Sequence, residues 1–182
     1  LTINRNNAMV QGVDFGGGYI TGAGSFTQAG SGTTTLNLGN NYSGGTTVSA
    51  GKLVVDSQQA SAGAASIADG ASLGITVTSW AQWQPATLTL GTSAGCTLEF
   101  NNVANADTTT APLNPGSVTR NGTVMVNVKS ISGAIAAGGT GYPLLGNMAG
   151  STAGYTLGTQ PPGVSGHLAT SGTTLTFVVD AV

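Results

Sequence analysis

Short alternating runs dominate the chain. Thr33-Thr34-Thr35-Leu36-Asn37-Leu38 switches between hydroxyl and apolar side chains, as do Thr46-Thr47-Val48, Lys52-Leu53-Val54-Val55 and Ser72-Leu73-Gly74-Ile75. The same two-residue period returns at Thr87–Leu90, Thr97–Phe100, Thr123–Val128 and Thr173–Val179. Each run is short and ends in Gly, Asn, Asp or Ser, so each predicts a strand bounded by turns. Asn40-Asn41, Gly44-Gly45, Asp69-Gly70 and Asn121-Gly122 are dipeptides at which a tight turn is cheap. No window shows the three-and-four apolar spacing of an amphipathic helix. The Ala-rich stretch 58–65 carries enough Gly and Ser to read as a loop or a single turn.

Many short strands at intervals of about ten residues fit a sandwich, a barrel or a solenoid. Charge separates the three. Only 5% of the 182 residues are charged, against about 25% in ordinary globular chains. Sandwiches and barrels usually dress their outer faces with charge. In a stack of parallel coils, like charges repeated in register would repel, whereas Thr, Ser and Asn bond to their counterparts one coil below. The expected fold is therefore all-β, a right-handed parallel β-helix (β-solenoid) with a looser β-rich C-terminal part. Coils of about 20 residues would give about nine coils and a rod on the order of 40 Å long.

The wording then becomes specific. Tyr42-Ser43-Gly44-Gly45-Thr46-Thr47-Val48, followed by Ala50-Gly51-Lys52-Leu53, resembles the autotransporter-associated β-strand repeat, the passenger-associated repeat of bacterial surface proteins. Residues 20–75 carry the resemblance most strongly. Residues 140–180, with Gly141-Tyr142-Pro143-Leu144-Leu145 and Leu175–Val179, resemble the terminal block of such proteins. The resemblance implies one solenoid domain over 1–182, with repeat-like coils over 1–105 and a terminal block over 106–182. It also implies a secreted or surface location. It implies no reaction and supplies no catalytic residues to carry over.

Within the repeat, Gly44-Gly45 is expected to turn the chain, and Val48 and Leu53 to point inward. Tyr42 is expected to pack over a coil edge, with carbohydrate stacking as the sharper alternative. Trp80 and Trp83 interrupt the repeat style. They read as a plug over the solenoid core or as a contact surface for a partner or glycan. Cys96 shares a face with Leu98 and Phe100 and is expected to be a buried thiol.

Candidate chemistry is sparse. The acids are Asp14, Asp56, Asp69, Glu99, Asp107 and Asp180, and His167 is the lone histidine. Asp56 and Asp69 fall where turns are expected, and a polysaccharide-cleaving pair would have to be clustered. The Gly16–Gly18 and Gly138–Gly141 stretches lack the Lys and helix of a phosphate loop and read as turns. No enzyme, metal or cofactor is expected. Arg5, Lys52, Arg120 and Lys129 are scattered, which excludes a nucleic-acid surface. No apolar run reaches the length of a membrane-spanning helix, and 5% aromatics are too few for the girdles of a membrane barrel.

The chain opens at Leu1 in strand style, without Met, which reads as a processed chain or the ordered part of a longer one. It runs β-prone to its last residue, so both ends read as uncapped. Leu1, Ile3, Phe177, Val179 and Val182 are the expected subunit contacts of a head-to-tail homopolymer. The expected role is a self-associating subunit of a surface fibre or coat. The alternative is a stalk or adhesin segment binding glycan through Tyr42, Trp80 or Trp83.

Overall fold

The computed structural model describes residues 1–182 except 80, 105–109, 134, 136–137 and 139–140. Trp80, Asp107 and the middle of the 138–141 glycine stretch therefore lie outside the described residues. The strands are β1 (Thr2–Ile3), β2 (Met9–Val10), β3 (Phe26–Gln28), β4 (Thr33–Leu36), β5 (Thr46–Val48), β6 (Lys52–Asp56), β7 (Ala65–Ile67), β8 (Ser72–Thr76) and β9 (Leu88–Leu90). They continue as β10 (Thr97–Asn101), β11 (Val103–Ala104), β12 (Val118–Arg120), β13 (Val124–Val128), β14 (Ile131–Ser132), β15 (Gly141–Leu145), β16 (Tyr155–Leu157), β17 (Ser165–Ser171) and β18 (Thr174–Ala181). There is no helix among the described residues.

Alternate strands fall into two parallel sheets. One runs β1-β3-β5-β7-β9-β12 and the other β16-β13-β10-β8-β6-β4-β2. Consecutive strands on the same face are therefore one coil apart, which is the β-solenoid. A third side is traced by the parallel bridges Trp83↔Leu113 and Leu113↔Leu145.

The two-residue period of the sequence becomes an inside and an outside. Leu36, Val55, Ile75, Phe100 and Val128 stand in register and form one inward column. Leu53, Leu73, Leu98 and Val126 form a second. All nine side chains are fully buried, each worth about 1.5–3 kcal/mol relative to exposure. Val48 and Leu53 point inward as expected, and residues 58–64 of the Ala-rich stretch form a loop that leads into β7 at Ala65.

Polar residues that point inward are paired. Thr34 Oγ1 donates to Gln28 Oε1 at 2.5 Å, and Gln28 Nε2 donates to the carbonyl oxygens of Gly30 and Gly32. A second polar column occupies one corner of three successive coils. Gln11 and Asn40 exchange amide bonds of 2.8 and 3.0 Å, and Asn40 Nδ2 also reaches Gln59 Oε1 at 3.3 Å. Gln59 Nε2 ends the column on Ser61 Oγ at 2.9 Å. These four side chains are buried, and a buried amide is tolerated only when so satisfied.

Gly44 is explained by stacking more than by turning. Its φ is not positive, but a Cβ there would stand 2.5 Å from the carbonyl oxygen of Gly24 one coil below. One coil above, a Cβ on Gly63 would stand 2.2 Å from the carbonyl oxygen of Gly44. The backbones approach too closely for a side chain at Gly44 or Gly63.

Two expectations are corrected. The coils are not uniform. Thr46 pairs with Ala65, 19 residues on, but Leu88 pairs with Val118, 30 residues on. Coils toward the C-terminus take more residues, and among the described residues the larger parallel sheet has seven strands, fewer than the nine coils expected.

The C-terminal end is also not an open solenoid edge. β18 is the central strand of an antiparallel sheet ordered β15-β18-β17. Tyr142, Leu144, Leu175, Phe177 and Val179 of that sheet are buried and join the solenoid core in one cluster. Phe177 and Val179 are thus internal. At the other end Ile3 is buried, and only Leu1 and Val182 of the five expected contact residues are exposed.

Tyr142 carries a buried hydroxyl with no hydrogen-bond partner among the described residues. Such a group costs about 1–3 kcal/mol of desolvation. Tyr142→Phe is therefore expected to stabilise the fold by about 1 kcal/mol, read as a raised urea midpoint with an unchanged slope.

Candidate interaction surfaces

Two of the three aromatics singled out in the sequence are core residues. Tyr42 is 1% exposed, bonds Thr46 Oγ1 at 2.7 Å and lies 6.3 Å from the ring of Phe26. Burial raises its pKa, with the bond to Thr46 acting in the opposite sense. Trp83 is fully buried, and its Nε1 donates to the Ser61 carbonyl oxygen at 2.9 Å. Trp83 thus plugs the core where the amide column stops. Neither ring offers a face to a glycan. The apolar bulk of each ring was better used inside the coil, and its polar tip found a partner there.

Asp56 and Asp69 are separate clamps between coils. Asp56 Oδ1 accepts from the Gln58 backbone N–H at 2.7 Å, and its carboxylate accepts from Thr78 Oγ1 at 2.7 and 2.8 Å. Asp69 accepts from the backbone N–H groups of Thr92, Ser93 and Gly95 and from the hydroxyls of Thr92 and Ser93. The Thr92 hydroxyl and these amides hold the Asp69 carboxyl far below the usual carboxylate range.

A carboxylate stabilised in the native state contributes above its unfolded pKa of about 3.9, and the contribution fades as pH falls through lower values. Asp69→Asn is accordingly expected to flatten the acid limb of the stability curve below about pH 4. Denaturant midpoints collected between neutral and acid pH check this.

Lys52 and Glu99 form an ion pair across the outer face of the larger sheet. Their strands, β6 and β10, are separated by β8, where Gly74 has no side chain to block the path of Lys52. Both groups retain access to water, so the pair is worth at most about 1 kcal/mol. His167 Nδ1 lies 2.9 Å from Asp180 Oδ1 between β17 and β18, with both side chains about half exposed.

Cys96 is buried as expected, and burial pushes its thiol up to about 12. The native chain is expected to leave Cys96 unmodified by iodoacetamide at neutral pH, with labelling appearing only in denaturant. Intact-mass spectrometry reads the difference.

Clefts interrupt the surface among the described residues. One, of about 210 Å³, lies between β12 and β16 and is bordered by Arg120 and Tyr155. The Arg120 guanidinium sits 5.5 Å from the centre of the Tyr155 ring. Another, of about 290 Å³, is lined by Gln58, Gln59, Gln82 and Gln84 with Ala60 and Ala62. Three of those amides already donate one hydrogen bond each, Gln58 to Thr78, Gln82 to the Ala111 carbonyl oxygen and Gln84 to Gln82. Among the described residues no group of three or more His, Cys, Asp and Glu could hold a metal ion, and no helix is long and apolar enough to cross a membrane.

Sequence reasoning missed the amide column and the outer face of the smaller sheet. Registered pairing places Thr2, Thr27, Thr47, Ser66, Thr89 and Thr119 in one line along that face. The signal was present, as a hydroxyl in the middle of every strand of that sheet, but it needs the register to be seen.

Comparison with curated proteins and with solved structures gave no match. Comparison with family models gave one, the passenger-associated-transport-repeat, over residues 26–55. That span begins with β3 and ends within β6, two strands from each parallel sheet. The chain is therefore a β-solenoid that carries a passenger-associated-transport-repeat across β3 to β6.

Proposed function

We propose that the chain is a non-enzymatic structural segment of a bacterial surface-displayed passenger, a stretch of solenoid that holds other parts of the protein away from the cell. The observation that supports this is the repeat match over 26–55, set within one continuous core from Ile3 to Val179. The carboxylates favour the same reading, since Asp56 and Asp69 are each bound to the neighbouring coil and not paired with one another. The cell exterior is the corresponding location.

The test is accessibility. An antibody raised against this segment is expected to label intact cells of the native host, and added protease to remove the label. Labelling only after permeabilisation would overturn the reading.

Self-association is a second reading, favoured by one observation. β1 and β2 are end strands of their sheets, each paired on one side only, and a free parallel edge accepts further strands. Association would then use the β1 and β2 end, because the antiparallel sheet covers the core at the other. Sedimentation velocity across a concentration series is expected to show growing elongated species. A constant monomer would set this reading aside.

A further inference from the structure

The outer face of the smaller parallel sheet has a composition unlike the rest of the surface. Its central row is Thr2, Thr27, Thr47, Ser66, Thr89 and Thr119, a hydroxyl on every one of six consecutive rungs. Backbone bonding aligns Ser25, Gly45, Ala64, Thr87 and Ser117 on one side of that row. Ala29, Ser49, Ala68, Gly91 and Asn121 align on the other. No charged residue stands in any of the three rows. The larger sheet differs, for its outer face carries the Lys52–Glu99 ion pair and the half-exposed Met125.

Register makes the face an ordered array. The five pairings that build the sheet contain no bulge or shift. Hydroxyls therefore recur along the solenoid axis at about 4.8 Å, and neighbouring rows lie about 6.6–6.8 Å apart along the strands. Thr47 and Ser66 are near enough for their hydroxyls to meet at 3.5 Å. Each threonine is β-branched, with few rotamers to choose from, so its hydroxyl and methyl are held in fixed positions.

We propose that this face binds ice. The repeat along the axis is within about a tenth of the spacing of oxygen atoms along one axis of hexagonal ice, so neighbouring hydroxyls meet neighbouring lattice waters with small side-chain adjustments. Methyl groups between them order the adjoining water without competing for it. The absence of charge matters as much, because a charged side chain holds a hydration shell that the lattice cannot incorporate. A single hydroxyl–water bond is weak, but a rigid row of them loses little freedom on docking, and their contributions accumulate. The inference is independent of the passenger reading, since a spacer and a free protein would present the same face.

The experiment uses the whole purified chain as a solution in which a single ice crystal is held. The chain is expected to depress the freezing point below the melting point and to be taken up into a growing ice hemisphere. Thr47→Lys and Thr89→Tyr, one charged and one bulky but strand-forming, are expected to return both readouts to those of buffer. Thr35→Lys, on the outer face of the other sheet, is expected to leave them unchanged. Circular dichroism and melting temperature establish that each variant is folded.

A wild-type chain with no freezing hysteresis and no uptake into ice would overturn the proposal. So would loss of activity in Thr35→Lys equal to that in Thr47→Lys. A third contrary result is a dimer of the wild-type chain, dispersed by Thr47→Lys, without any effect on ice, which would assign the face to a second copy instead.

Discussion

Trp83→Ala is expected to destabilise the chain by about 3–5 kcal/mol, the range for removing a buried aromatic from a packed core. Trp83 is the largest fully buried side chain among the described residues, and it stands where the coil interior passes from the amide corner to the aliphatic third side. Alanine would leave a void between Ser61 and Leu113 and would strand the Ser61 carbonyl oxygen that Nε1 now satisfies. Backbone bonds on both sides, from Trp83 N–H to Pro112 and from Asn114 N–H to Trp83, limit how far the coil can collapse into the space. Trp83→Phe is expected to recover most of the packing and lose the hydrogen bond, a cost of about 1–2 kcal/mol. A ranked series of urea midpoints, wild type above Phe above Ala, is the measurement.

Asn40→Ala is the second large effect, by a different route. Asn40 Oδ1 accepts from Gln11 Nε2 and from the Ile20 backbone N–H, while Nδ2 donates to Gln11, Gln59 and the Leu38 carbonyl oxygen. Removing it strands buried partners on three coils at about 1–3 kcal/mol for each group left unsatisfied. The total loss is expected to be at least about 3 kcal/mol. Asn40→Asp tests the logic, since it keeps the acceptors and removes the donors. It is expected to be as damaging as alanine at neutral pH and to recover partly in acid, where the carboxyl is protonated and can donate again.

The alternation of Thr46–Val48, Lys52–Val55 and their successors told which residues face the core, because one face of each strand is buried and a slip of one residue would expose it. Low charge and abundant Thr and Asn pointed to stacked parallel coils, and the Tyr42–Leu53 block gave the repeat its name. The antiparallel C-terminal sheet was hidden. Gly141–Leu145 reads as a short apolar run and Thr173–Val179 as another alternating strand, and neither pattern encodes the direction of the partner. Coil length was hidden too: Trp80 and Trp83 marked a break in the repeat style after β8, but composition alone does not say how many residues a coil takes before the next strand returns to the sheet.

The candidate interaction surface was the least legible part, for a physical reason. Tyr42 and Trp83 are amphipathic, and such a ring serves equally as a sugar platform or as a core residue with one hydrogen bond. Only the surroundings decide. Gln11, Asn40 and Gln59 look like ordinary loop amides until coils separated by 29 and 19 residues bring them together. The hydroxyl row on the smaller sheet is spread over more than a hundred residues of sequence and becomes a surface only through register.

Register is therefore the claim on which the rest depends, and disulfide trapping tests it most directly. Thr47 and Ser66 are partners on adjacent rungs, so their Cα atoms fall within the 4.4–6.8 Å range that a disulfide spans. Thr47 and Thr89 are two rungs apart, at about 9.6 Å. Oxidation of a chain carrying Thr47→Cys and Ser66→Cys is expected to close an intrachain bond in the folded state, with native Cys96 buried and uninvolved. The chain carrying Thr47→Cys and Thr89→Cys is expected to stay reduced. Closure of the second pair in preference to the first would contradict the stacked, in-register solenoid.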